Sequence, residues 1–350
     1  MLNEIVVITL ILLLSALLWW SFTFLSREGW QFIASVPVKK RGEGQWQGLN
    51  FTYYGFFNAM AVTLASAMGI ILLAACGIPT LTVIGVIISI LALCVPAARL
   101  VAGWVEKKRY TFSIGGASFV GLLGAPWIIL LFRAGSKGPE GSALQPIVVL
   151  SAIVVAYALG EGVGRLACIS FGCCYGKPID TLHPALRRLF YRIGVSFYCP
   201  TRKAVYADHL AGVRLVPIQA ITSVINCLAA VAGMYLFLTG RFAAAFLVSM
   251  MLTQLWRVAS EFLRADYRGN GRLSAYQWMA LSAIPYSLLI SRLFTMTGSR
   301  VPDVAAGFQA LWHPAVLINL QLLWILVFIY FGKSRVTESS LSFHVVRDRV

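Results

Sequence analysis

Residues 145–177 read QPIVVLSAIVVAYALGEGVGRLACISFGCCYGK. The first part, 145–166, is apolar for long enough to cross a bilayer, which takes about 20 residues. It nonetheless carries one carboxylate, Glu161, and one arginine, Arg165. Between Gly164 and Lys177 the chain then packs one arginine, three cysteines and three glycines into the point where a helix leaves the apolar phase. A connector needs none of these. Helix ends meet phosphate groups through arginine and free backbone N–H groups, and glycine lets the chain approach closely. The stretch is therefore a candidate site for a lipid headgroup.

The whole chain repeats the pattern of its first part. It is 59% hydrophobic and 12% charged, with a mean hydropathy of +0.79, whereas soluble domains carry about 25% charged residues. Apolar runs at 3–25, 51–73, 80–104, 115–132, 145–166, 214–239, 243–263, 274–293 and 314–332 predict an all-α polytopic membrane protein with about nine transmembrane helices. The first run has no basic leader and no small-residue cleavage site, so it reads as a retained helix. The net charge is +16. The basic residues sit in the connections, which points to anionic lipid rather than nucleic acid.

The connections divide the chain. Residues 1–50 read as a first membrane helix with a basic loop, and 51–293 as a membrane core. Residues 294–350 read as a connector, a last membrane helix and a basic tail. Residues 133–144 read as a flexible turn. Residues 167–213 are too long for a simple loop. They interleave Arg187, Arg188, Arg192, Arg202, Lys203 and Arg214 with aromatic residues, as a small amphipathic head on a membrane surface would, or an ordinary basic loop.

Charge inside apolar runs is costly and marks a cavity or a partner. Arg257, Glu261 and Arg264 are spaced i, i+4, i+7 and so share one helix face. This suits a phosphate grip in which Glu261 holds the arginines and their forks bind phosphate oxygens; long side chains snorkelling from a helix end would give the same pattern. Glu161 and Arg165, at i, i+4, repeat the device on the fifth run, as a shared pocket or a local pair.

Cys76, Cys94 and Cys227 read as small buried hydrophobes. Cys168, Cys173 and Cys174 read as packing residues, disulfide partners or nucleophiles. A cysteine attacking a glyceryl carbon would end as an inert thioether, so a nucleophilic cysteine argues for phosphoryl or acyl transfer. A metal site joining them to Cys199 or His183 is a lesser alternative, since the spacing fits no common zinc pattern; the expectation is no metal and no cofactor. His183 and His209 are candidate bases in the head segment, although a histidine in a basic loop is more often a surface residue.

Taken in order, these segments resemble the bacterial prolipoprotein diacylglyceryl transferases. Gly164, Arg165 and Gly176 match that family's Gly-Arg motif and closing glycine. Arg257, Glu261, Phe262 and Arg264 match its late-helix row. Tyr53-Tyr54-Gly55, Gly115-Gly116 with Ser118-Phe119, Pro217 with Gln219, and Leu273-Ser274 with Gln277-Trp278 match four further motifs. The resemblance covers residues 51–293 and implies a seven-helix core, extended here by one helix at each end, with the head between core helices four and five. It implies transfer of a diacylglyceryl group from phosphatidylglycerol to a lipoprotein-precursor cysteine, in the bacterial cytoplasmic membrane. It also implies catalytic roles for Arg165, Arg257, Glu261, Arg264 and Tyr54, and substrate-binding roles for Gly164, Gly176, Gly115, Gly116, Glu161 and Gln219.

The chain departs from the family pattern at Val120, where the family has histidine. It departs again at Cys168, Cys173, Ile221 and Thr222. These departures keep two rivals open, a transferase with another acceptor and a lipid-binding protein without turnover. The basic clusters Lys39-Lys40-Arg41 and Lys107-Lys108-Arg109 favour the opposite orientation to the family's, by the positive-inside tendency. The sequence leaves the orientation open.

Overall fold

The computed structural model describes residues 2–107, 113–135, 144–265, 272–295 and 301–350. Most of the expected 133–144 turn, and Lys108-Arg109, lie outside the described residues. The chain is a helical, multi-pass membrane protein. Among the described residues its helices are α1 (Leu2–Phe24), α2 (Tyr53–Ala75), α3 (Thr80–Glu106), α4 (Ile114–Gly135), α5 (Pro146–Phe171), α6 (Pro184–Tyr191), α7 (Lys203–Tyr206), α8 (Ile218–Leu238), α9 (Phe242–Leu263), α10 (Ala275–Leu293), α11 (Val304–Leu311) and α12 (Pro314–Gly332). Eight of these are long and apolar enough to cross a membrane. The ninth expected span forms α10, a 19-residue helix less apolar than those eight.

α5 is the axis of the bundle. It is buried along nearly all of its length, whereas α1 and α12 present most of theirs outward. α2, α8 and α9 pack around it, with α10 against α9, α3 against α4, and α12 outside α2. Ser223 Oγ donates to Gly162 O at 2.6 Å, fastening α8 to α5.

The connections hold more structure than the loops expected of them. β1 (Phe32–Gly42), β2 (Gln45–Thr52) and β3 (Lys333–Ser342) form an antiparallel sheet in the order β1-β2-β3. The stretch read as a basic loop therefore contains a hairpin, and part of the stretch read as a basic tail is its third strand. Arg41 pairs with Glu338 at 2.5 Å, and Gln47 Nε2 donates to the same carboxylate at 2.9 Å. Thr52 Oγ1 caps α2 by accepting from Gly55 N at 3.4 Å, and donates to Gly332 O at 3.1 Å.

A side chain at Gly55 would fall on the Gly332 backbone, so α2 and α12 touch main chain to main chain. Gly55→Val is expected to cost about 1–3 kcal/mol by overpacking. It should lower the unfolding temperature in detergent, and an unchanged midpoint would refute this reading of the contact.

The head folds as a small unit at the end of α5. Its core is Tyr175, Phe197, Ala204 and Leu215, continued by Ile179, Phe190, Val216 and Ile218. α6 buries Phe190 and leaves Arg187, Arg188, Leu186 and Leu189 exposed. Arg202 docks the head onto the bundle. It is almost fully buried, and its guanidinium donates to Ile169 O at 3.2 Å and Arg27 O at 2.5 Å. Burial pushes its pKa down to about 10.

Candidate active site

The site begins with how α5 ends. Gly172, at φ +69°, takes the left-handed cap position that glycine adopts without penalty. Its N–H donates to Cys168 O at 2.9 Å, and the Cys173 N–H reaches the same carbonyl at 3.1 Å. This cap turns the chain back over the last turn of the helix. Cys174 is also left-handed, at φ +55°, and the strand after it pairs with the end of α9. There Lys177 N donates to Leu263 O at 2.8 Å and Ala265 N to Tyr175 O at 3.2 Å, so Gly176 lies opposite Arg264.

Inside that end lies a buried ionic cluster. Arg165 Nη2 donates to Glu161 Oε1 at 2.5 Å. Arg257, from α9, donates to both Glu161 oxygens at 2.8 and 3.0 Å, and to the Tyr157 hydroxyl at 2.6 Å. Tyr157 in turn donates to Glu161 Oε2. Glu161, Arg165 and Arg257 all have side chains at most 13% exposed, so one carboxylate balances two guanidinium groups away from water. The Arg165 Nε is buried without a hydrogen-bond partner. Leaving such a donor unsatisfied is costly, which makes it a reason for an oxygen ligand to enter.

The late-helix row is built differently from the sequence expectation. α9 stops at Leu263, and Arg264 is already extended, at φ −79° and ψ 149°, so Arg257, Glu261 and Arg264 do not form one continuous helical stripe. Arg257 pairs with Glu161 rather than being held by Glu261. Glu261 accepts from Ser274 Oγ at 3.0 Å and lies 3.9 Å from Arg264 Nε. Ser274 and Gln277 form the capping box of α10, and Gln277 Nε2 donates to Val258 O at 3.1 Å. The start of α10 thereby fixes the end of α9.

Beside the arginines, the Sγ atoms of Cys168, Cys173 and Cys174 lie within 4.8 Å of one another. Cys168, Cys173 and Cys174 are free thiols. Cys168 and Cys173 are buried and Cys174 is half-buried. Hydrogen bonds from the Cys168 and Cys173 thiols, aided by the charges of Arg264 and Arg165, hold the Cys174 thiol well below its ordinary pKa. Cys173 is pushed the other way by its bonds to the Cys168 and Cys174 sulfurs and by burial. Gln219 Nε2 donates to Cys173 O at 2.8 Å and so steadies the turn that carries the thiols. Tyr54 lies close to the same three cysteines, its ring 5.4 Å from that of Phe171. Cys199 is elsewhere, 3.0 Å from Thr201 Oγ1.

The other expected residues divide. A Cβ on Gly115 would stand 2.7 Å from Arg257 Nη1 and 3.0 Å from Tyr276, so this glycine makes room for the guanidinium. Gly116 packs on Val101, Gly164 faces Ala61, and Gly176 packs on Val216 and Ile218, all protein contacts. His183 and His209 are exposed on the head. Tyr157 and Ser274 are partners that the sequence reading did not assign to the site. Tyr157 sits one turn before Glu161, and that i, i+4 spacing was the available cue. Gly115→Ala is expected to displace Arg257, and misplacements of about 1 Å at a reacting centre cost ~100-fold in rate. The unfolding temperature should change little, and undiminished activity would show that the close approach is unimportant.

A family model described as prolipoprotein diacylglyceryl transferase matches residues 45–293. Two curated proteins align with part of the chain. The phosphatidylglycerol–prolipoprotein diacylglyceryl transferase of Clostridium tetani (strain Massachusetts / E88) is 32% identical over 147 residues, 41% of this chain and 51% of that protein. The phosphatidylglycerol–prolipoprotein diacylglyceryl transferase 2 of Clostridium perfringens (strain 13 / Type A) is 28% identical over 155 residues, 42% of this chain and 52% of that protein. The chain spans about half the length of the curated relatives it matches.

Proposed function

This chain belongs to the prolipoprotein diacylglyceryl transferase family, and on that premise we propose that it moves a diacylglyceryl group from phosphatidylglycerol to the cysteine thiol of a lipoprotein precursor in a bacterial cytoplasmic membrane. The observation that carries this reading is the buried Arg165 Nε, without a partner, on a guanidinium already oriented by Glu161. A phosphate oxygen satisfies that donor. Arg257, clamped by the same carboxylate, adds a second fixed positive charge.

The chemistry needs charge neutralised where it develops. As the acceptor sulfur attacks the glyceryl carbon, the C–O bond to phosphate breaks and the leaving glycerol phosphate gains negative charge. Fixed guanidinium groups in a site of low dielectric stabilise that charge without reorganising during the step.

The test is complementation of bacterial cells depleted of their own prolipoprotein diacylglyceryl transferase, with lipoprotein modification read as a mass shift. Restored modification that disappears in Arg165→Ala supports the reading. A well-expressed, folded protein that restores none overturns it, in favour of another acceptor or a lipid-binding role without turnover.

A further inference from the structure

We propose, building on that reading, that Cys168, Cys173 and Cys174 bind a zinc ion whose fourth coordination position takes the thiol of the acceptor. Three sulfurs from a seven-residue stretch of sequence meet within 4.8 Å because the Gly172 cap folds Cys173 and Cys174 back over Cys168. Zinc holds thiolates at about 2.3 Å in tetrahedral geometry, which places neighbouring sulfurs about 3.8 Å apart. The observed sulfurs, all within 4.8 Å of one another, stand no more than about 1 Å beyond that spacing. The turn itself is held by backbone bonds and by Gln219, so binding needs no rearrangement of the fold.

Three protein ligands with one open position is the arrangement of a zinc site that acts on a substrate, whereas structural sites close with four. Only Cys174 of the three is half-exposed, so the open side lies at that residue. Zinc with four thiolates carries two net negative charges, and the guanidinium groups of Arg165 and Arg264 lie alongside to offset them. The sulfur ligands favour a soft or borderline ion, and zinc brings no redox chemistry to a reaction that needs none.

The transfer requires a thiolate, and among the described residues the groups near the cluster do not offer an obvious base for making one. Glu161 is occupied by Arg165, Arg257 and Tyr157, and Glu261 accepts from Ser274. His183 and His209 lie exposed on the head. Zinc supplies the thiolate directly, because a coordinating thiol loses its proton outright. The proton passes to solvent as the zinc–sulfur bond forms. The bound sulfur then attacks the glyceryl carbon, the S–C bond forms as the C–O bond breaks, and the phosphate oxygen keeps the electron pair. The thioether product is uncharged and a weak ligand, so it leaves zinc and reopens the position.

The experiment uses the full chain purified in detergent from zinc-supplemented cells. Bound metal is measured by elemental mass spectrometry, and zinc is then replaced by cobalt(II) as a spectroscopic probe. Stoichiometric zinc is expected, with loss of most of it in Cys173→Ser. Sulfur-to-cobalt charge-transfer bands are expected in the unmutated protein, a readout that does not depend on any variant folding. A short peptide with one cysteine should shift the visible cobalt bands, and the same peptide with serine should not. Folded protein without zinc, or with equal zinc after Cys168, Cys173 and Cys174 are all changed to serine, overturns the site. Zinc present but cobalt bands unmoved by the cysteine peptide overturns the acceptor role. Peptide-sensitive cobalt bands in a protein that fails the complementation test would leave the zinc–thiol site standing and remove diacylglyceryl transfer.

Discussion

Glu161→Gln is expected to destabilise the folded protein by about 3–5 kcal/mol, the scale found when one partner of a buried ion pair is removed. The effect is large because one carboxylate serves two arginines from two helices. Arg165 reaches it at 2.5 Å along α5, and Arg257 reaches it at 2.8 and 3.0 Å from α9. Glutamine keeps the shape and one acceptor oxygen but removes the negative charge, leaving two buried guanidinium groups to repel each other. The unfolding temperature in detergent should fall sharply and transfer should be lost with it. Glu161→Asp, which keeps the charge on a shorter arm, should recover part of the stability. If Glu161→Gln unfolds at the temperature of the unmutated protein, the cluster is not the electrostatic keystone of the bundle.

Arg165→Lys separates chemistry from stability. A lysine at 165 can still reach Glu161 along the same helix face, so the ion pair and most of the stability should survive. It cannot present the Nε edge of a planar fork, the donor that is buried and unpartnered here. Transfer is expected to fall by ~10²–10³-fold, the usual loss when one donor to a developing oxyanion is removed. The measurement is the rate of lipoprotein mass shift in detergent or vesicles containing phosphatidylglycerol, alongside a thermal melt. Near-normal rates in Arg165→Lys would mean that Arg165 supplies only bulk charge, and the phosphate contact would have to be sought at Arg257 or Arg264.

What could be read without coordinates follows from the range of each interaction. Membrane helices announce themselves by apolar length, which is local, and the i, i+4 pair of Glu161 and Arg165 lies within one helix. Which carboxylate serves Arg257 depends on how α9 packs against α5, almost a hundred residues away, and spacing alone favoured the nearer Glu261. The hairpin of β1 and β2 is harder to read, because polar sequence between spans suits a loop as well as a strand. Its cues were the alternation through Gln45–Thr52 and the turn at Gly44, at φ +71°. The cysteines were legible singly but not as a cluster. Gly172 is a recognisable helix stop, yet the distance between sulfurs depends on how tightly the chain reverses after it.

The sheet also imposes a parity. β2 enters α2 and β3 leaves α12, and the two strands are hydrogen-bonded, so both belong on one side of the bilayer. Between them the chain must cross an even number of times. α2, α3, α4, α5, α8, α9 and α12 supply seven crossings, so α10 must be the eighth despite its more polar sequence. The same count puts the head, the end of α5 that carries Arg165 and the sheet on one face, and α11 on the other, where Asp303 N donates to Ala75 O at 2.8 Å. With α1 added the crossings become odd, so reporters fused ahead of Leu2 and beyond Val350 should face opposite compartments.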